Sequence, residues 1–178
     1  MTAAEVAQAR VSSSDGKEHG IPLMAELFER FPEVRFNIDA KSDESVEPLA
    51  ALVDEYDALE RVCLASFKLG RIRALRELLG PGLMTNMSPT EIASLRLLGR
   101  LRGSEHRSAQ VPTHMKRIDI VNQRFIARAR KLNIAVHVWT INERDEMDRL
   151  FDLGVDGVMT DETSLLREVL AERGQWPT

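Results

Sequence analysis

The sequence holds one cysteine, Cys63, which excludes a disulfide framework and a cysteine-based zinc site. Flanked by apolar residues in RVCLAS, that thiol reads as a buried core residue. No apolar run approaches the ~20 residues of a membrane span, and the N-terminus lacks the charged-then-apolar order of a secretory leader. No membrane span is expected, and a soluble, cytoplasmic chain is. Excess positive charge is missing as well. With 24 basic and 28 acidic side chains the net charge is −4, so the broad cationic surface that nucleic acid requires is absent and no nucleic-acid partner is expected. The 4 histidines, His19, His106, His114 and His137, show no HxxxH or HxH spacing, which argues against a histidine zinc site.

The 178 residues, 43% hydrophobic and 29% charged, have the length and apolar content of a single domain over residues 1–178 that buries a real core. From Val34 onward, short apolar or β-branched runs alternate with longer stretches of helical period. This is the pattern of repeated βα units around a parallel sheet, and about six units are read in it. The predicted strands are Val34 to Asp39, Arg61 to Ser66, Gly82 to Asn86, Arg117 to Val121, Ile134 to Thr140 and Asp156 to Thr160. Helices are predicted to start near Ser42, Lys68, Ser88, Asn122, Glu143 and Glu162, several with a capping side chain in place. Ahead of them, Ile21 to Phe31 reads as a short helix, the opening residues read as helical, and Ser12 to Gly20 reads as a polar loop. Leu101 to Lys116 has no clear period and reads as a mobile insertion.

In parallel αβ barrels the chemistry sits at the C-terminal ends of the strands, so polar residues there are the first candidates. FNIDAK places Asn37, Asp39 and Lys41 on one side of a strand's alternation and Ile38 and Ala40 on the other. A carboxylate beside a lysine suits a hard cation together with a phosphate, and it equally suits a structural ion pair. VHVWTIN puts His137, Trp139 and Ile141 on one face and Val136, Val138 and Thr140 on the other, and Trp139 can either wall a pocket or plug the barrel. GVDGVMTD offers Gly154 as a helix C-cap and ends on Asp161, for which helix capping is the simpler role.

FNIDAK, VWTIN, EMDRLFDLGVDGVMTD and the following LLREVL together resemble the C-terminal signature of the glycerophosphodiester phosphodiesterases. RVCLASF resembles that family's Ser-Phe strand, and IPLMAELFERFPEVRFNIDAK its lead-in to the third barrel strand. The resemblance implies a TIM-type (β/α) barrel that hydrolyses a glycerophosphodiester to an alcohol and glycerol 3-phosphate, with a divalent cation, Ca2+ or Mg2+, and two histidines. By the same resemblance Asp39 is a metal ligand, while Lys41 and Trp139 bind substrate.

The family's His-Arg-Gly, Glu-x-Asp and His-Asp motifs do not occur here. His106-Arg107-Ser108 is a partial match in a loop, and the role is not transferred to it, so no catalytic residue is assigned. A TIM barrel has about 250 residues and eight units, so the expectation is an incomplete barrel whose first two βα units are missing. Such a chain would be inactive alone and open to self-association through exposed sheet edges. Two other readings stand beside this one. One is a catalytically dead remnant that serves as an interaction or phosphate-binding module; the other is a different αβ-barrel enzyme using the segment Leu101 to Lys116.

Overall fold

The computed structural model describes residues 3–12, 16–101, 107–115 and 118–176. The chain opens with helix α1 (Ala3–Gln8) and an antiparallel hairpin of β1 (Arg10–Ser12) and β2 (Glu18–Gly20), then helix α2 (Met24–Arg30). From there it alternates β3 (Phe36–Asp39), α3 (Val46–Glu55), β4 (Val62–Ala65), α4 (Leu69–Leu79), β5 (Met84–Asn86), α5 (Pro89–Leu98) and β6 (Arg107–Val111). A short antiparallel pair, β7 (His114–Met115) and β8 (Ile118–Asp119), interrupts the pattern. It resumes with α6 (Gln123–Lys131), β9 (Ala135–Val138), α7 (Arg144–Leu153), β10 (Gly157–Val158) and α8 (Thr163–Glu172).

Six strands form one parallel sheet in the order β10-β9-β6-β5-β4-β3. Among the described residues β3 and β10 each have a neighbour on one side only, so the sheet is curled but not closed.

The alternation within each strand assigns its two faces. Leu64, Ala109, Val111, Val136 and Val138 turn outward and are buried under the helices. Around β3 and β4 they meet Phe28, Ala50, Val53 and Leu75. Around β6 and β9 they meet Leu95, Phe125, Met147, Leu150 and Val169. Each of the Val, Leu, Met and Phe side chains among these stabilises the fold by roughly 1.5–3 kcal/mol on burial. The opposite face carries Asn37, Asp39, Cys63, Asn86, Ser108, Gln110 and His137; the register sets Asn37 beside Cys63, Asn86 beside Ser108 and Gln110 beside His137. One side of the sheet is therefore dry and helix-covered, and the other is a polar lumen.

Two of the predicted helix starts, Ser88 and Asn122, are side-chain caps, whereas the helix expected to start near Ser42 begins at Val46 behind Ser45. Ser88 caps α5 reciprocally, its Oγ accepting from the Glu91 N–H while Glu91 Oε2 accepts from the Ser88 N–H at 2.8 Å. Asn122 accepts from the Phe125 N–H at 2.9 Å at the head of α6. Gly154, in the left-handed region at φ 96°, ends α7 as expected.

Four expectations need correction. The barrel strand placed at Arg117 to Val121 lies instead at Arg107–Val111, inside the stretch read as an insertion; Ile118–Asp119 makes only the short pair with His114–Met115, and Arg117 is outside the described residues. The stretch read as a loop, Ser12 to Gly20, contains β2 and the last residue of β1 of the N-terminal hairpin. His19 and His114 consequently sit on short strands rather than in loops, and His106 is outside the described residues. Cys63 is only partly buried and faces the lumen, not the helix-covered core.

Candidate functional site

At the C-terminal ends of the six strands lies a cavity of about 550 Å³. Its polar lining includes Asn37, Asp39, Lys41, Ser66, Asn86 and Gln110, from β3 to β6 or the residue or two after a strand, and Thr140, two residues after β9. The sequence-predicted residues Asp39, Lys41 and Trp139 converge here, although they come from opposite ends of the sheet.

Asp39 is the last residue of β3. Its Oδ2 accepts from the Lys41 ammonium, while its Oδ1 is buried with no hydrogen-bond partner. The ion pair foreseen as one reading of FNIDAK thus forms and leaves half of the carboxylate uncommitted. An anionic oxygen in that state fits a hard cation, which takes such oxygens as ligands. No group of three or more His, Cys, Asp or Glu side chains that could hold an ion was found among the described residues. Asp39 by itself therefore offers at most one of the six to eight oxygen ligands that Ca2+ takes.

Lys41 is mostly exposed and stands 5.6 Å from the centre of the Phe67 ring, which meets Trp139 edge-on at 6.2 Å. The loop that carries Lys41 is held from α4. Arg71 donates to the carbonyls of Ala40, at 3.1 Å, and Lys41, at 2.6 Å, and its Nε donates to Asp43 at 2.6 Å. The Arg71 guanidinium keeps the Asp43 carboxyl below its ordinary value.

Ser66 ties three strand ends together. It is 1% exposed, and its hydroxyl donates to the Ala40 carbonyl at 3.0 Å. Its backbone N–H donates to Asn86 Oδ1 at 3.0 Å, and its carbonyl accepts from Asn86 Nδ2 at 3.4 Å. The ends of β3, β4 and β5 are thus fixed relative to one another immediately beneath Asp39 and Lys41.

Along the lumen, Asn37, Cys63, Ser108 and Gln110 are bonded to one another. Gln110 Nε2 donates to Asn37 Oδ1 at 2.8 Å and to Ser108 Oγ at 3.2 Å, and lies 3.4 Å from Cys63 Sγ. Burial pushes the Cys63 thiol above its ordinary value, against the opposing hydrogen bonds from Ser108 and Gln110. Burial also lowers His137, with the Asp156 carboxylate pulling the other way.

Past Val138 the alternation expected for VHVWTIN ends. Ile141 packs in the helix-side core, while both Trp139 and Thr140 line the cavity. Asp161 does not cap α8: its Oδ2 accepts from the Asn142 amide at 3.2 Å, and Glu162 holds the cap position. Phe67, Ser66, Asn86 and Gln110 were not singled out as site residues. Phe67 and Ser66 stand one or two positions past the end of an apolar strand, a placement that could have flagged them; Gln110 lies in the strand that was misplaced.

The comparisons with known proteins agree with this geometry. The profile of the Glycerophosphoryl diester phosphodiesterase family matches residues 1–165, and the chain belongs to that family. "Probable glycerophosphodiester phosphodiesterase 2" of Mycobacterium tuberculosis is 31% identical over 173 residues, covering 90% of this chain and 64% of that protein. Human "Lysophospholipase D GDPD1" is 26% identical over 93% of this chain and 62% of its own length. The chain thus spans somewhat under two thirds of these relatives. Among solved structures, the glycerophosphoryl diester phosphodiesterase domain of a Mycobacterium tuberculosis protein superposes with a TM-score of 0.75 at 12% identity, covering 96% of this chain and 75% of that one. A glycerophosphodiester phosphodiesterase from Parabacteroides distasonis gives 0.67 at 16% identity, with coverages of 98% and 72%. These structural likenesses establish the fold as that of the family's TIM-type barrels.

Proposed function

We propose that this chain supplies the phosphate- and cation-binding part of a glycerophosphodiester phosphodiesterase, an enzyme that hydrolyses a glycerophosphodiester to an alcohol and glycerol 3-phosphate. The observation that carries the reading is the Asp39–Lys41 pair at the end of β3, with one carboxylate oxygen buried and uncommitted inside the cavity. In this reading Asp39 Oδ1 is one ligand of a divalent cation, Ca2+ or Mg2+. A cation bound there would neutralise the charge of the diester and polarise its phosphorus–oxygen bonds. Lys41 supplies a compact positive charge to a phosphate oxygen, and Trp139 and Phe67 wall the side of the cavity next to it. The family's two histidine motifs do not lie in these 178 residues, so the chain by itself is proposed to bind the phosphodiester without turning it over.

Titration calorimetry with glycerol 3-phosphate in Ca2+ or Mg2+ tests this directly. Binding is expected, and it should weaken at least tenfold on chelation, in Asp39→Asn and in Lys41→Ala. Choline release from glycerophosphocholine should stay at background. Binding that ignores both substitutions and the chelator would refute the assignment.

A further inference from the structure

We propose that Arg71 is the positioning residue of the phosphate site: its guanidinium fixes the backbone at Lys41 and thereby decides where the Lys41 ammonium stands. The inference rests on the phosphodiester reading above and deepens it, naming the group that sets the binding lysine in place.

The hold of the sheet on this stretch ends one residue before Lys41. The Ala40 N–H donates to the Ala65 carbonyl at 2.8 Å, and the next backbone pairing along the chain is the Val46 N–H on the Asp43 carbonyl at 3.2 Å. Among the described residues, Arg71 supplies the one hydrogen bond made to the Lys41 backbone. Its Nη1 bridges two successive carbonyls, those of Ala40 and Lys41, while its Nε donates to Asp43. The two peptide planes that flank the Lys41 Cα are thereby clamped from one side chain. A residue has only two soft backbone dihedrals, and with both neighbouring planes held the direction in which the Lys41 side chain departs is set. The Ala40 carbonyl also accepts from Ser66 Oγ and is held twice over, so loss of Arg71 falls on Lys41.

Lys41 depends on that anchor. Its side chain is 75% exposed, meets only the Asp39 carboxylate and the Phe67 ring, and ends a flexible four-carbon stem. The placement of Arg71 points the same way. It is the third residue of α4, in the first turn, where the free N–H groups make the helix end positive and a cation is disfavoured. Even so, its side chain is only 11% exposed and is turned onto the β3–α3 connection. Asp43 matches its charge with one oxygen, and the other oxygen faces Lys68 Nζ at 3.8 Å. A lysine at this position would present a single nitrogen, whereas the rigid guanidinium spreads its donors over the carboxylate and the carbonyls at once.

The test is calorimetric titration of the 178-residue chain with glycerol 3-phosphate in Ca2+, for Lys41→Ala, Arg71→Ala and the double variant, with Arg71→Lys alongside. Arg71→Ala should weaken binding by about fivefold, inside the range of coupling between residues of one network. In the Lys41→Ala background the same change should cost nothing further, because no ammonium is left to place; a merely structural role would weaken both backgrounds alike. Arg71→Lys keeps the charge and loses the fork, and it should match alanine rather than the parent. Water can replace the lost donor at the solvent-facing Lys41 carbonyl, so the variants should keep a cooperative urea transition, and Arg71→Lys carries the test if alanine does not. Suppose Lys41→Ala weakens binding, and Arg71→Ala leaves it unchanged, or the two losses add, or Arg71→Lys binds like the parent. The inference is then overturned and the phosphodiester reading survives. If Lys41→Ala itself leaves binding unchanged, both are overturned together.

Discussion

Replacing Asn86 by alanine should loosen the knot beneath the site, and its cost can be worked from the contacts. The Asn86 amide satisfies both backbone groups of Ser66, the N–H at 3.0 Å and the carbonyl at 3.4 Å, at a residue almost wholly shielded from water. Two net hydrogen bonds contribute about 1 kcal/mol each, and an orphaned buried N–H costs about 1–3 kcal/mol more where water cannot reach it. Asn86 borders the cavity, so water can enter and recover part of that penalty. The net loss is expected near 2 kcal/mol. With a urea slope of about 2 kcal/mol per molar for a chain of this size, the unfolding midpoint should fall by about 1 M at unchanged slope. Asn86→Asp is a sharper probe. Its carboxylate can still accept from the Ser66 N–H but confronts the Ser66 carbonyl, so at neutral pH it should be as damaging as alanine. Near pH 4 the protonated acid can donate again, and part of the deficit should return relative to the parent at the same pH. Because Ser66 also holds the Ala40 carbonyl next to Lys41, glycerol 3-phosphate binding should weaken in parallel with stability. A midpoint within about 0.2 M of the parent in Asn86→Ala, or an Asp variant indifferent to pH, would refute the argument.

Other outcomes follow from the same contacts. Burial lowers the His137 pKa, so the unfolded chain binds that proton more readily; stability should fall as pH drops below about 6.5, and urea midpoints at pH 7.5 and 5.5 should differ less in His137→Asn than in the parent. An unchanged pH difference in the variant would exclude His137 as its source. Ser88→Ala should cost about 1 kcal/mol through loss of the α5 cap, and Ser88→Gly only a few tenths, as thermal or urea unfolding can verify. The one-sided edges of β3 and β10 expose backbone donors and acceptors, so sedimentation velocity should show a weight-average coefficient that rises with loading concentration. A monomer at every concentration would count against association through those edges.

Most of the scaffold was legible because its signals are local. Ser88 and Asn122 at helix heads, Gly154 at a helix end and the apolar stripe of α7 each fix a boundary within a few residues, and the structure keeps them. The failure at β6 has a physical cause. RSAQV contains one β-branched residue, because its outward positions Ala109 and Val111 sit where α5, α6 and β9 crowd the core, and its inward positions Ser108 and Gln110 belong to the lumen network. IDIV, a stronger strand former by composition, is instead spent on a two-residue pairing and on Ile120 and Val121 in the core. Strand preference measures packing against neighbours, and neighbours are what a single segment does not reveal. For the site, Asp39 and Lys41 could be read from alternation within FNIDAK. The role of Ser66 as a tie between strand ends depends on residues 26 positions earlier and 20 later, and no local pattern carries that.

The order of strands in the sheet bears on how the molecule assembles. β4 lies on β3, β5 on β4, β6 on β5 and β10 on β9, and only the step from β6 to β9 passes over an intervening hairpin. Loop closure is inexpensive when partners are near in sequence. During synthesis, each segment leaving the ribosome meets its seat already built by the one before, and the structure can grow by accretion from the amino end.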